Sequence, residues 1–338
     1  MRILELSTEE SVQRLYIDPL ASYLRVRGHT VYQKHGFRRS LSLMDLASMA
    51  RVWVWLKKWD IDVLHVQTAK AGGIGRIAAW LAGTKRVVYT MHDVPFHDQL
   101  PLWRRRLYRR LEWLLAHLCQ VITMDSPAGK NRAITAGLAP ARKIHVIPVG
   151  VETAWFHPIP KAFETTIVVV GTVARLVPDK GIDRFLRILA VLKMGRIPVR
   201  GVIVGDGPLR RELEALARHL GLATLVTFRG EQRDVRTELA LMDIFVLPTK
   251  REGLSVAVME AMSMALPVVV SDIPAFRYLV RHNETGLVAR PHEWTSHIGT
   301  LLHSAERRQT LGLEARAHVQ KYYEQSVCNR AYERVLVG

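Results

Sequence analysis

Short runs of β-branched residues alternate with helical segments along this chain of 338 residues. RILEL opens the chain and is followed by a helical stretch ending at RVRGHTVYQ (25–33). The next runs are DVLHVQ (62–67), RVVYTMH (86–92), QVITM (120–124) and KIHVIPVG (143–150). Helical periodicity separates each from the next, which is the pattern of a parallel sheet with crossover helices. The first half of the chain is therefore predicted to be an α/β domain.

The alternation stops over residues 151–165, which hold two prolines and no clear periodicity, and then begins again. The second series is TIVVVGTVA (166–174), VRGVIVGDG (199–207), LVTFRG (225–230), DIFVLPT (243–249), PVVVSD (267–272) and GLVAR (286–290). A chain of this length is longer than a domain with a single hydrophobic core usually is, so two doubly wound α/β domains are expected. Ligands of such sheets bind beyond the carboxyl ends of the strands, which predicts an active site in a cleft between the domains.

Charge, cysteine content and the lengths of the apolar runs indicate what kind of partner and which cellular compartment fit this chain. Lys and Arg number 48 against 31 Asp and Glu, a net charge of +17, which favours an anionic partner such as lipid, nucleotide or nucleic acid. The two cysteines, Cys119 and Cys328, are too few for a disulfide framework and fit a reducing compartment. Glu5, Glu9 and Glu10 interrupt the start where a secretory signal would be apolar. The longest apolar runs are too short for a membrane span.

The segment REGLSVAVMEAMSMALP (251–267) is predicted to carry a ligand site. The preceding strand ends near Pro248, Gly253 permits a tight turn, and a helix begins near Ser255. Free backbone N–H groups of residues 254–257 would then favour an anion such as a diphosphate. Glu252 lies just outside that position.

Glu260 lies about five residues further along this helix, among apolar neighbours. An unpaired carboxylate there would cost several kcal/mol or stay protonated. Two interpretations follow. Either the hydroxyls of a ribose bind Glu260, or Glu260 pairs with an arginine of another element while Glu252 only complements the helix N-terminus.

Other strand ends of the same sheet carry cations and glycines. Arg175 and Lys180 follow VVVGTVA and could neutralise a diphosphate, stabilising the charge that develops as it leaves. Gly205 opens a turn after the next strand, and Arg229 and Gly230 end a further strand. Each position alone also fits an ordinary solvated loop.

Taken in order, these motifs resemble a known family. G-x-x-x-R-x-x-x-x-K-G (171–181), V-G-D-G-P (204–208), V-x-F-x-G (226–230) and E-G-x-x-x-x-x-x-E-A-M (252–262) are similar to the donor domain of the retaining glycosyltransferases of family 4. The resemblance implies the GT-B fold, two facing Rossmann-like domains with a cleft between them. It also implies an acceptor-binding domain over 1–155, a donor-binding domain over 156–320, and a final helix, 321–338, packing back on the first domain.

The resemblance further implies a nucleotide-sugar donor, a UDP-hexose or UDP-N-acetylhexosamine. Arg175 and Lys180 would contact its diphosphate, Glu260 its ribose and Glu252 the transferred sugar. The whole implied donor-binding set is Arg175, Lys180, Gly205, Arg229, Gly230, Glu252, Gly253, Leu254, Ser255, Val256 and Glu260. Such enzymes retain anomeric configuration without an enzymic nucleophile and need no metal, because the basic pair replaces it, and no cofactor beyond the donor.

In the first domain, His92 matches the family's T-x-H pattern, which implies a catalytic histidine facing the transferred sugar. His97, Lys70, Gly72 and Gly73 are candidate acceptor-binding residues, and the glycine stretch suits either a phosphate or tight packing of helix on sheet. The stretches T-x-K-A-G-x-x-G-R (68–76) and T-M-H-D-x-P-F-H (90–97) resemble most the members of the family that build bacterial capsular, O-antigen and other lipid-linked glycans. A polyprenyl-diphosphate acceptor is therefore expected, and a soluble sugar or sugar phosphate is the alternative.

A basic helix is predicted over residues 102–118. Its apolar stripe is Trp103, Leu107, Leu111, Leu114, Leu115 and Leu118, and arginines crowd its flanks. The pattern fits a helix lying on anionic lipid at the inner face of the cell membrane, in a cytoplasmic protein, with about 1 kcal/mol per basic residue. It equally fits a stripe buried in the core with arginines in water. There is no recognisable nucleic-acid-binding motif, so a nucleic-acid partner is not expected.

The D-x-D spacing of metal-dependent transferases occurs at Asp60 and Asp62. This pair precedes a strand of the first domain, away from the predicted donor site. A role in loop solvation, and not a metal site, is expected for it.

Overall fold

The structure is a computed structural model that describes residues 1–8, 12–35, 37, 44–92, 94–96, 100–160, 167–195 and 197–338. The chain divides into two compact units. The first contains residues 1–150 and 325–338, and the second contains residues 151–324. The boundaries expected after residues 155 and 320 lie a few residues from these.

A six-stranded parallel sheet forms the centre of the first unit, in the order β2-β1-β3-β4-β5-β6. Its strands are β1 Arg2–Leu6, β2 Thr30–Lys34, β3 Val63–Gln67, β4 Arg86–Met91, β5 Val121–Met124 and β6 Ile144–Val146. Its α-helices are α1 Asp18–Val26, α2 Met44–Lys58, α3 Ala69–Ala82, α4 Leu102–Ala116, α5 Pro127–Thr135 and, from the end of the chain, α13 Gln325–Val337. A π-helical turn, Gln13–Ile17, leads into α1, and a 3-10 turn, Ala141–Lys143, precedes β6.

Alternate residues of these strands build two apolar layers, one on each face of the sheet. Leu4 and Leu64 pack with the buried residues of α2, α3, α4 and α5. Ile3 and Val63 pack on the opposite face with α1 and with Tyr332 of α13. The last helix of the chain thus belongs to the core of the first unit.

The second unit is also built on a six-stranded parallel sheet, in the order β12-β11-β10-β7-β8-β9. Its strands are β7 Val168–Val173, β8 Val199–Val204, β9 Val226–Gly230, β10 Ile244–Leu247, β11 Val268–Ser271 and β12 Leu287–Ala289. Its α-helices are α6 Ile182–Met194, α7 Arg210–His219, α8 Arg236–Leu241, α9 Val256–Ser263, α10 Pro274–Leu279, α11 Trp294–His303 and α12 Ala305–Tyr322, and a 3-10 turn, Pro178–Lys180, precedes α6.

The two parallel sheets confirm the predicted α/β architecture, and all six runs of the second series are strands. One element was predicted wrongly: residues 30–33, placed at the end of a helical stretch, belong to β2. In the second sheet β10, β7, β8 and β9 are neighbours, so the loops after their carboxyl ends meet at one edge. That edge holds the predicted donor-site residues.

Candidate functional site

The loops that follow β7 and β10 are joined by backbone contacts. The amide of Lys250 donates to the carbonyl of Asp179 at 2.7 Å, and the Thr249 hydroxyl donates to the same carbonyl at 2.8 Å. Gly181 has a φ of +68°, and a Cβ there would lie 2.1 Å from the carbonyl oxygen of Pro248. Only glycine fits this position, and it brings the two loops into contact.

This contact places the predicted cation and carboxylate side by side. Lys180 Nζ forms an ion pair with Glu252, and both side chains are largely buried, at 17% and 15% exposure. Arg175, in the same loop as Lys180, is exposed and has no side-chain partner among the described residues. Among the described residues of these two adjoining loops, Lys180 is thus neutralised by Glu252, whereas the guanidinium of Arg175 is unpaired.

Helix α9 begins at Val256, where the sequence predicted a helix start, and Ser255 is its N-cap. Ser255 is extended, and its side chain makes no capping hydrogen bond. The first backbone N–H groups of the helix therefore keep their capacity to donate, and the helix dipole adds partial positive charge at that end. Leu254 and Ser255 are buried beside it, and Gly253 is partly exposed.

Glu260 lies in the second turn of α9 and keeps partial exposure to solvent. The part of the chain that the structure describes offers it no hydrogen-bond donor and no cation, so the predicted alternative of an arginine partner is wrong within that part. Burial of the carboxyl group, with a smaller contribution from the charge of Asp234, raises the pKa of Glu260 to about 7. The described residues therefore do not supply the hydrogen-bond donor or cation that a buried carboxyl group requires.

Asp234 was not anticipated from the sequence, because nothing in the motifs links the loop before α8 to α9. Arg236 Nη2 lies 2.6 Å from Asp234 Oδ2, and this hydrogen-bonded pair lowers the pKa of Asp234. The Arg236 guanidinium in turn lies 3.4 Å from the ring centroid of Trp155. Asp234 thus remains charged and adds negative potential at Glu260.

The remaining predicted donor-site residues shape the strand ends. Gly205 has a φ of +125°, a Cβ there would lie 2.0 Å from the Ala174 carbonyl oxygen, and its amide donates to the Gly230 carbonyl at 2.7 Å. The Arg229 guanidinium is engaged by Glu238, with Nε 3.0 and 2.9 Å from its two carboxyl oxygens. Gly205 and Gly230 therefore fix loop geometry, and Arg229 links β9 to α8.

In the first unit, His92 directly follows β4, as predicted. Its Nδ1 lies 3.0 Å from Oδ2 of Asp125, which directly follows β5, and its ring centroid is 4.3 Å from that of Tyr16. Asp125 and Tyr16 were missed. The available signal was position at a strand end, which Asp125 shares with His92 on the neighbouring strand.

Two of the four candidate acceptor residues, Lys70 and Gly72, have structural partners. Lys70 Nζ lies 2.8 Å from Asp45 Oδ1. A Cβ on Gly72 would lie 2.5 Å from Tyr89 Cε2, so close packing requires glycine there, whereas at Gly73 the nearest atom would be 3.8 Å away. His97 lies outside the described residues.

Helix α4 carries its apolar stripe on the outside. Trp103 is 62% exposed and Leu114 55%, and Leu107 and Leu111 are also exposed. The interpretation with this stripe in the core is therefore wrong for these four residues. Leu115 and Leu118 are partly buried.

The inward side of α4 instead holds a buried charge. Arg76 Nη2 of α3 lies 2.9 Å from Glu112 Oε2, and Arg76 is fully buried. Arg76 Nε also donates to the Gly72 carbonyl at 2.8 Å. The helix is thus anchored by this ion pair and by the packing of Tyr108 and Ala116 on the core, while Leu107, Leu111, Leu114 and the arginines face water.

The D-x-D pair is engaged by one arginine. Arg2 Nη1 lies 3.0 Å from Asp60 Oδ2, and the Arg2 amide donates to Asp62 at 2.9 Å, lowering the pKa of Asp62. Across the described residues, His, Cys, Asp and Glu side chains form no group of three or more that could hold a metal ion. The described helices include none that could cross a bilayer.

Comparisons with known proteins agree with this architecture. The family model "Glycosyltransferase Family 4" matches residues 8–155, and "Glycosyl transferases group 1" matches residues 155–318. A UDP-Gal:alpha-D-GlcNAc-diphosphoundecaprenol alpha-1,3-galactosyltransferase of Escherichia coli is 30% identical over 277 residues, covering 78% of this chain and 72% of the relative. A GDP-mannose-dependent alpha-(1-6)-phosphatidylinositol monomannoside mannosyltransferase of Mycobacterium tuberculosis is 31% identical over 253 residues, covering 68% and 63%.

The crystal structure of Anabaena HepE in complex with UDP superimposes with a TM-score of 0.84 over 100% of both chains, at 22% identity. That likeness establishes the GT-B fold. Together with the family models and the relative from Escherichia coli, it shows that the chain belongs to the group 1 glycosyltransferases of family 4.

Proposed function

We propose that this glycosyltransferase transfers a hexose or N-acetylhexosamine from a UDP-sugar, with retention of configuration, to a lipid-linked glycan on the cytoplasmic face of the cell membrane. The acceptor would be a polyprenyl diphosphate. The observation that carries the donor side of the proposal is Glu260, a carboxyl held in an apolar helix without a donor among the described residues.

A nucleoside diphosphate would supply hydrogen-bond and charge partners for three groups at this edge of the second sheet: the first N–H groups of α9, the Arg175 guanidinium and the Glu260 carboxyl. Its phosphates would accept from the uncapped N–H groups of α9 and contact Arg175. Glu260 lies five residues beyond Ser255, about 7.5 Å along the helix at 1.5 Å per residue. Ribose hydroxyls at that distance would donate to the Glu260 carboxylate.

Two cations would carry the chemical step. Arg175 and Lys180 would stabilise the negative charge that develops on the diphosphate as it leaves. Glu252, paired with Lys180, would bind hydroxyls of the transferred sugar next to the departing phosphate. The proposal assigns the role of a metal to these cations and requires no cofactor beyond the donor.

The choice of UDP is supported by two similar proteins, since the relative from Escherichia coli is described as using UDP-Gal and HepE was solved with UDP. The mycobacterial relative, described as GDP-mannose-dependent, makes GDP the competing nucleotide. A thermal-shift panel of UDP, GDP and their sugars distinguishes the two, because a ligand that binds only the folded state raises Tm.

The panel is run on wild type, on Glu260→Gln and on Glu314→Gln, an exposed glutamate of α12 that serves as control. We expect UDP and one UDP-sugar to raise Tm in wild type and in the control, and to lose that effect in Glu260→Gln. A shift with GDP alone would replace the nucleotide in the proposal. An equal shift in all three chains would remove Glu260 from the site.

The membrane side of the proposal is supported by α4. Leucines and tryptophans exposed beside arginines suit the interface of an anionic bilayer, where each basic residue near the surface contributes about 1 kcal/mol. Trp80 of the adjoining α3 is also 66% exposed. Lys70, Gly73 and His97 remain the proposed contacts for a phosphate of the lipid-linked acceptor.

Co-sedimentation with anionic and neutral vesicles tests this surface. Leu107→Ser on α4 is compared with Leu313→Ser on α12, which is similarly exposed. We expect wild type and Leu313→Ser to bind anionic vesicles, and Leu107→Ser to bind several-fold less. Full transfer to a soluble sugar acceptor together with no vesicle binding would favour the alternative, a GT-B enzyme with a soluble sugar or sugar-phosphate acceptor.

A further inference from the structure

His92 and Asp125 form a side-chain pair at the carboxyl ends of two neighbouring strands of the first unit. The distance from Nδ1 to Oδ2 is 3.0 Å, and Asp125 is 3% exposed. We propose that Asp125 is a positioning residue, which holds His92 as the tautomer protonated at Nδ1 and thereby presents Nε2 as an acceptor for a substrate hydroxyl.

The tautomer follows from the chemistry of the partner. An ionised carboxylate can only accept, so the short contact requires Nδ1 to carry the hydrogen. The Tyr16 hydroxyl donates to the same Asp125 oxygen at 3.4 Å, and the Tyr16 ring lies beside the imidazole, tilted by 57°. Three separate segments therefore fix one ring orientation.

The other nitrogen of the ring has no partner in the part of the chain that the structure describes. His92 Nε2 is buried, and it accepts no hydrogen bond from the described residues. A buried polar atom in this state carries an uncompensated loss of hydration, which a hydrogen bond from a ligand would offset. An unprotonated nitrogen can accept from a hydroxyl and cannot donate to a phosphate, and the donor that a sugar substrate offers is a hydroxyl.

The assignment of that hydroxyl to a sugar rests on the proposed function, whereas the tautomer does not. The test is an NMR spectrum of the full chain labelled with 15N-histidine, in which protonated and unprotonated ring nitrogens differ widely in chemical shift. A His92→Gln sample assigns the His92 signals. We expect Nδ1 protonated and Nε2 unprotonated in wild type, and loss of this preference in Asp125→Asn.

Transfer kinetics give the second readout. Removing a partner that orients a functional histidine is expected to lower kcat by about 10 to 100-fold, with the Tm shift by UDP unchanged. Tyr16→Phe, which keeps the ring and the carboxylate, is expected to preserve the tautomer and most of kcat.

A wild-type spectrum with the hydrogen on Nε2 overturns the inference, and it does so even if the Asp125→Asn chain does not fold. Unchanged tautomer and unchanged kcat in a folded Asp125→Asn also overturn it. If wild type shows the expected tautomer and transfers no sugar to any acceptor, the positioning by Asp125 stands and the proposed function fails.

Discussion

Replacing Glu260 with glutamine is expected to stabilise the second unit at neutral and higher pH. The ordinary pKa of a glutamate is 4.5, and burial in α9 raises the pKa of Glu260 to about 7 in the folded protein. Ionisation of the folded state is therefore unfavourable. The cost is absent below the unfolded pKa, grows as the pH rises through the interval between the two values, and is complete above the folded pKa.

The size of this cost follows from the shift. A difference of about 2.5 pKa units corresponds to about 3 kcal/mol at full ionisation. Between pH 5 and pH 8 the part that changes with pH is about 2.5 kcal/mol. Glutamine has a similar shape and does not titrate, so the variant should gain this amount relative to wild type over that range.

The assay must report on the second unit alone. Met259 and Met262 of α9 are fully buried, so their protection from oxidation across a urea series gives the unfolding free energy of the unit that contains them. Glu314→Gln is the matched control, and its difference from wild type should not vary with pH. A constant difference for Glu260→Gln between pH 5 and pH 8 would refute the reasoning.

Three further changes test other parts of the structure. Gly181→Ala would place a methyl group against the Pro248 carbonyl at a positive φ, and a loss of about 1 to 3 kcal/mol or more is expected in urea unfolding. Glu112→Gln leaves the buried Arg76 charge unpaired, with an expected loss of about 3 to 5 kcal/mol, and Arg76→Met in the same chain should recover much of it. Lys180→Ala should lower kcat by about 100-fold, and because it leaves the largely buried Glu252 unpaired it should also cost about 1 to 3 kcal/mol in urea unfolding, so kcat is compared under conditions where the variant is folded.

The fold could be predicted because parallel strands buried on both faces form short runs of β-branched residues. The exception is instructive. In β2 only Val31 is buried, because the strand lies at the edge of the sheet, and its sequence TVYQK carries too little apolar signal to be separated from the helix before it.

Residues of the candidate site could be predicted where a charged side chain interrupts an apolar segment. Glu260 stands out because a carboxyl interrupts an apolar helix. Asp125, Tyr16 and Asp234 could not be found this way, since each is an ordinary polar residue in its own segment. Their importance arises from contacts with residues far along the chain, as with Tyr16 and Asp125, which lie 109 positions apart.

Helix α4 shows why an amphipathic pattern does not state which face lies inward. Packing normally buries the apolar stripe, but here Tyr108 and Ala116 pack on the core and Glu112 reaches the buried Arg76, 36 residues away, and these contacts hold the helix on the unit. The attachment of α4 to the fold therefore does not depend on Trp103 or Leu107. Inserting these side chains into a bilayer would remove apolar surface from water without breaking a core contact, so the proposed membrane contact and the stability of the first unit do not compete.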